Sequence, residues 1–216
     1  MSTVEAFLAE LDAQNHEALE RIGAQAAREP SAEVTVAKLL VMALRNEIEA
    51  TECAAAWIAT TPEIEVKLAL ARQAGDEAKH YRLIQRRLRE LGVDTHGFDP
   101  GPRSPLLEYL ASLPTTVERV AAGQFTREAL AVVRNEEFVR FCESRGDAET
   151  AALYRDTIQP DERHHHELGR SLLTKLALGP AEQEAARRAA RRTLALAEEL
   201  QEIARMKLGV SRAPGC

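Results

Sequence analysis

Asp161-Glu162-Arg163-His164-His165-His166-Glu167 and, earlier in the chain, Asp76-Glu77-Ala78-Lys79-His80 decide how this sequence is read. Each carries Glu-x-x-His, at Glu162/His165 and Glu77/His80. On an α-helix, residues three apart are separated by ~4.5 Å of rise and share a face, so carboxylate and imidazole point to one place. One such pair can hold a metal ion, and two facing pairs can hold two. A single occurrence would carry little weight: with 27 glutamates and six histidines in 216 residues, chance alone supplies roughly 0.75 of a match.

The surrounding pattern supplies the weight. Leu70, Ala74, Glu77, Tyr81, Ile84 and Leu88 recur at helical spacing and put Glu77 on an apolar face. Ala151, Ile158, Glu162, His165, Gly169, Leu172 and Leu176 do the same for the later pair. A charge on a core-facing stripe is costly unless it is paired or bound to a metal. Each motif is also preceded by another inward carboxylate: Glu47 among Leu40, Leu44, Thr51, Ala54 and Ile58, and Glu128 among Ala121, Phe125, Val132 and Val139. Carboxylate and imidazole without thiolate suit iron or manganese better than structural zinc. The competing reading is a bundle of buried salt bridges in which Lys79, Arg134, Arg140 or Arg155 neutralises the acids; it requires four core carboxylates held without metal, each expensive if uncompensated.

The punctuation predicts the helical frame. A first amphipathic helix spans about residues 3–28, with Val4, Phe7, Leu8, Leu11, His16, Leu19 and Ile22 on its apolar side, and ends near Arg28-Glu29-Pro30. The first core helix runs from about Ala32 to Thr60, and Thr61-Pro62-Glu63 starts the second, Thr61 as cap and Pro62 in the first turn. So short a turn makes the two antiparallel, and Gly92 ends the second. Residues 92–114, rich in glycine and proline, read as a long crossover with room for a short helix at Leu106–Ser112. The third core helix runs from Thr115 to about Ser144, and Asp147 caps the fourth. Pro160 removes a backbone hydrogen bond two residues before Glu162 and predicts a kink; a register in which Asp161/His164 face inward is the alternative to Glu162/His165. A last helix covers about Pro180–Leu208, with Leu194, Leu196, Ile203 and Met206 as docking positions. The expected organisation is one domain over 1–208, its core at about 32–177, with 209–216 a flexible tail.

Two inward glutamates plus two Glu-x-x-His motifs resemble the ligand set of the ferritin-like non-haem di-iron and di-manganese carboxylate proteins. The resemblance implies an all-α, ferritin-like four-helix bundle of two antiparallel hairpins joined by the crossover, with extra helices at both ends. It implies that Glu47 and His80 hold one metal, Glu128 and His165 the other, and that Glu77 and Glu162 bridge them, the six serving as both metal-binding and catalytic residues. The cofactor implied is two iron ions or a manganese/iron pair, with O2 as co-substrate. The leading function implied is an oxidase or oxygenase acting on a small organic substrate; the alternative is an iron- or peroxide-handling ferroxidase or rubrerythrin-like protein. Without a rubredoxin-like cysteine module, electrons would come from a separate reductase. A third relation, to tRNA hydroxylases, is disfavoured by the net charge of −6, which gives no general attraction to nucleic acid or anionic membrane.

Composition agrees with a helical protein: aromatic content is 4% and glycine and proline are sparse. Cys53, Cys142 and Cys216 form no C-x-x-C and are odd in number, so a reducing cytoplasm is expected. No stretch reads as a signal peptide or bilayer span. The terminal helices offer surface for a homodimer contact. His96 is expected to be exposed, and Trp57, Phe125 and Tyr81 to line an apolar approach or, more simply, to pack in the core.

Overall fold

The computed structural model describes residues 3–26, 34–210 and 213–215. Among these every regular element is helical and none is a strand. None of the helices is long and apolar enough to cross a membrane. Helix α1 is Val4–Ala26, α2 Val36–Thr60 and α3 Ile64–Glu90. Thr35 caps α2 by accepting the Lys38 N–H, so that helix begins a turn later than Ala32, which lies outside the described residues. Thr61 does not cap α3. It ends α2, buried, and accepts a hydrogen bond from Arg119, while α3 starts after Glu63, which makes no side-chain cap.

The crossover carries α4, Pro105–Ser112, capped by Ser104. A capping box between Thr115 and Glu118 opens the third helical run, which passes through α5 (Thr116–Val120), a π-helical stretch (Ala121–Arg127) and α6 (Glu128–Ser144). Asp147 caps the fourth run by accepting the Thr150 N–H. That run comprises α7 (Ala148–Leu153), a second π-helical stretch (Tyr154–Ile158) and α8 (Gln159–Leu176). The break expected at Pro160 takes this form: the wide turn precedes α8, and Pro160 occupies the first turn of α8, where its missing N–H is tolerated. Helix α9 is Pro180–Leu208.

The four long runs surround two apolar clusters separated by a polar layer. Along α2 the order is Leu40 and Leu44 in one cluster, Glu47, then Ala54 and Trp57 in the other. Along α3 it reverses: Leu70, then Glu77 and His80, then Ile84 and Leu88. The third run follows α3 in direction (Phe125, Glu128, Phe138), and the fourth follows α2 (Ile158, Glu162 and His165, Leu172). Antiparallel partners within each hairpin, and a crossover that carries the chain back between them, place all four polar segments at one level.

Helices α1 and α9 pack outside the third and fourth runs through Phe7, Leu11, Ala190 and Leu196, and through Ile22, Leu130 and Leu194. His16 lies at the surface, exposed, and pairs with Glu20 at 3.2 Å. Two expectations need correction here. Ile203 and Met206 are not buried against the bundle, being 42% and 67% exposed. The segment after Gly209 is not uniformly a flexible tail: Val210 is buried in the cluster of Leu40 and Ile84, the Gly215 N–H donates to Asn135 at 2.8 Å, and Asn46 donates to the Pro214 carbonyl at 2.9 Å. Cys216 and the expected end of the first helix at 28–30 lie outside the described residues.

Candidate metal centre

The polar layer brings all six predicted side chains together. Glu47, Glu77, His80 and Glu162 form one group and Glu77, Glu128, Glu162 and His165 a second, each with one ligand-type atom per residue within 4.8 Å of the others. Glu77 and Glu162 belong to both. Glu77, His80, Glu128, Glu162 and His165 are fully buried, and Glu47 is 2% exposed. The inward pair of the fourth run is therefore Glu162/His165; His164 is half-buried, and His166 turns away to the Phe125 carbonyl, 2.7 Å from its Nδ1.

His80 Nδ1 lies 3.5 Å from Glu47, 3.3 Å from Glu77 and 3.7 Å from Glu162. His165 Nδ1 lies 3.8 Å from Glu77 and 3.7 Å from both Glu128 and Glu162. Most of these separations exceed a hydrogen bond. They match donors around a shared ion, since ligands at ~2.1 Å sit roughly 3 Å apart when adjacent and roughly 4.2 Å when opposite. Among the described residues Glu47 Oε1, Glu77 Oε1 and His165 Nδ1 are buried without a hydrogen-bond partner. Buried polar atoms are rarely left so, and a cation in each of the two groups would satisfy them, one beside Glu47 and the other beside His165, with Glu77 within reach of both. The donor set, carboxylate oxygen and imidazole nitrogen, fits iron or manganese.

The salt-bridge alternative finds little support. Lys79 pairs with Asp161, Arg140 with Glu137 and Arg155 with Glu143, and Arg134 donates to the Ala197 carbonyl at 3.4 Å; none of these partners is a member of the cluster. Burial favours the protonated form of Glu47 and Glu162, while the two imidazoles face the carboxylates around them. Burial, reinforced by the charges of Glu77 and Glu128, pushes the Glu162 carboxyl well above the usual range. Burial and the Glu77 charge outweigh His80 and raise Glu47 to about 7. Burial disfavours the imidazolium of His80, but Glu47 and Glu77 overcome it and hold the ring up to about 12. Burial likewise opposes His165, which Glu128 raises to about 9. Glu128 is lowered to about 2 because His165, Glu162 and Arg127 outweigh its burial. Each of these protons occupies a position that a metal cation would replace.

Sequence reasoning missed the residues behind the rings. Asp161 on α8 lies 3.0 Å from His80 Nε2 on α3, and Asp76 on α3 lies 3.2 Å from His165 Nε2 on α8. Each aspartate immediately precedes its motif glutamate, ~100° round the helix, so it reaches the imidazole of the opposite run. Accepting the Nε2–H fixes the ring with Nδ1 toward the cluster. The repeated Asp-Glu-x-x-His was the available signal. Gln73, which donates to Glu128 at 2.5 Å, and Tyr154, a fully buried phenol whose hydroxyl lacks a partner, had no such signal. Burial raises the Tyr154 phenol well above its ordinary value.

Trp57 and Phe125 are buried in the core, and Tyr81 is half-buried against the opposite cluster; none of the three is freely exposed. The close fit of the helices is set by glycine. A Cβ on Gly169 would stand 2.7 Å from the Gln124 carbonyl carbon and 2.8 Å from the Phe125 nitrogen, so α8 packs backbone to backbone on the π-helical stretch that leads into Glu128. Gly123 makes similar room for the Trp57 ring.

Comparison of the chain with protein-family models, with curated proteins and with solved structures gives no match.

Proposed function

We propose that this chain is a ferritin-like di-metal carboxylate oxidoreductase that uses O2 to oxidise a small organic substrate. The observation that carries the reading is the pair of buried four-residue groups sharing Glu77 and Glu162, each with its own histidine. Glu47 and His80 would hold one ion, Glu128 and His165 the other, with Glu77 and Glu162 between them. Two iron ions, or a manganese and an iron, when bound there would supply the electrons that O2 accepts.

The protein's own part is positioning, exclusion of water and control of protons. Asp161 and Asp76 orient the two imidazoles across the bundle. The apolar clusters above and below the polar layer keep water out, which strengthens every charge interaction within it. Asp161, partly exposed and bonded to both His80 and Lys79, connects the buried ring to solvent and gives a proton route at His80 Nε2. Electrons for turnover would come from a separate reductase.

Anaerobic addition of ferrous iron followed by O2 tests this. The proposal expects about two irons per chain and O2 uptake in proportion to them, with both lost in Glu162→Ala. Uptake of many irons per chain would instead establish an iron-handling protein, and iron binding without O2 consumption would refute the oxidative role.

A further inference from the structure

A cavity of about 370 Å3 lies between α2, α4, the third helical run and α9, with Val210 and Ala213 also in its lining. It falls within the range of ~300–1,000 Å3 usual for small-molecule sites. Its walls are mostly apolar, with Met42, Leu107, Leu110, Leu200 and Ile203 facing one another across it. The polar part is lopsided. Arg45, Arg127, Arg134 and Lys207 line the cavity, against one acid, Glu49, among the described lining residues.

Glu49 is committed within the wall: Arg45 lies 3.2 Å from it, and Ser104 donates through both its N–H and its hydroxyl, at 3.0 and 2.6 Å. Arg127 also acts on the neighbouring Glu128 and Arg134 donates to the Ala197 carbonyl at 3.4 Å, and the lining as a whole still carries more formal positive than negative charge in an apolar enclosure, where a low local dielectric strengthens attraction for an anion. Arg127 and Arg134 stand two turns apart on the third run, and Lys207 comes from α9. A ligand that satisfies such a site has an apolar body and a single anionic head.

We propose that this cavity binds an amphipathic organic monocarboxylate, its hydrocarbon part between α4 and α9 and its carboxylate toward the arginine and lysine side chains. The crossover and the C-terminal helix then have a role of their own, since they build two of the walls. The inference does not rest on the metal centre, although Asn46 and Arg127 in the wall directly precede Glu47 and Glu128.

The test uses the full-length, metal-free protein, so its outcome is independent of metal binding. Calorimetric titration with octanoate and with 1-octanol compares ligands differing in the head group. Ile203→Glu and Lys207→Glu alter exposed positions of the cavity rim, and circular dichroism melts verify that both variants fold. The expected result is one octanoate per chain, bound at least about tenfold more tightly than octanol, with Lys207→Glu weakening octanoate by at least about fivefold and leaving octanol unchanged, and Ile203→Glu weakening both ligands. Absence of octanoate binding at millimolar concentration, equal affinity for the two ligands, or full octanoate affinity in both variants would overturn the proposal.

Discussion

Replacing Gly169 by alanine separates the packing that aligns the two hairpins from the ligands themselves. The added methyl would stand 2.7 Å from backbone atoms of Gln124, whereas ordinary contact begins at 3.4 Å, so α8 and the π-helical stretch must part by roughly 0.7 Å. Backbone cannot swing aside as a side-chain tip can. Overpacking of this kind costs roughly 1–3 kcal/mol, partly offset by the ~1 kcal/mol that alanine gains over glycine within a helix. The net loss is up to about 2 kcal/mol, or as much as roughly 8 °C in Tm for a chain of this length. Because Glu128 follows the displaced stretch directly, metal affinity should fall at the Glu128/His165 position. Gly75→Ala is the internal control. Its added methyl meets nothing within 4 Å on exposed helix, so that variant should gain about 0.5–1 kcal/mol. Thermal melts and metal titration of the two variants are the assay. If Gly169→Ala melts as high as Gly75→Ala and binds metal normally, the backbone contact does not set the site.

Two further outcomes follow from the site's charges. Asp76→Asn and Asp161→Asn keep size but weaken the hold on His165 and His80, and each should lower metal affinity roughly 10- to 100-fold with little change in the fold, measured by competition with a chelator. The metal-free protein should lose stability as pH rises. Glu47 at about 7, Glu162 well above its ordinary value and His165 at about 9 are all raised, so the stability each adds is complete below its unfolded pKa and disappears as pH climbs through the folded one. Each extra native proton gives a slope of about 1.4 kcal/mol per pH unit. Glu128, at about 2, acts oppositely, and only as pH falls from about 4.5 toward that value. Melts of chelated protein between pH 6 and 9 should therefore show a falling Tm, while metal affinity rises over the same span as its ligands deprotonate. A Tm that climbed with pH in chelator would contradict the proton-held cluster.

Much of the site was legible because burial of charge is costly enough to leave a periodic trace. Glu47, Glu77 and Glu162 stand out as acids on apolar stripes, and the structure puts all three in the interior. The start of the third run at Thr115, the cap at Asp147 and the bounds of α9 were readable from local chemistry alone, whereas the cap read at Thr61 was not made. The π-helical stretches were not. A wider turn adds a residue without any special side chain. In the regular helix from Glu128 onward the fully buried positions include Ala131, Asn135 and Phe138, while Val132 and Val139 from the expected stripe are half-buried beside them. The aspartates behind the histidines needed knowledge of which runs face each other across the bundle. The seating of Val210 and Gly215 depends on Asn46 and Asn135, distant in sequence, and no local pattern announces it.

Metal content of the purified full-length chain, reconstituted with ferrous iron or manganese and compared with a Glu77→Ala/Glu162→Ala double variant, tests the central claim most directly. The account predicts about two ions per native chain and loss of both in the variant, because the two substituted carboxylates are shared by the two groups. A native chain that binds no metal at excess, or a double variant that still binds two ions, would contradict it.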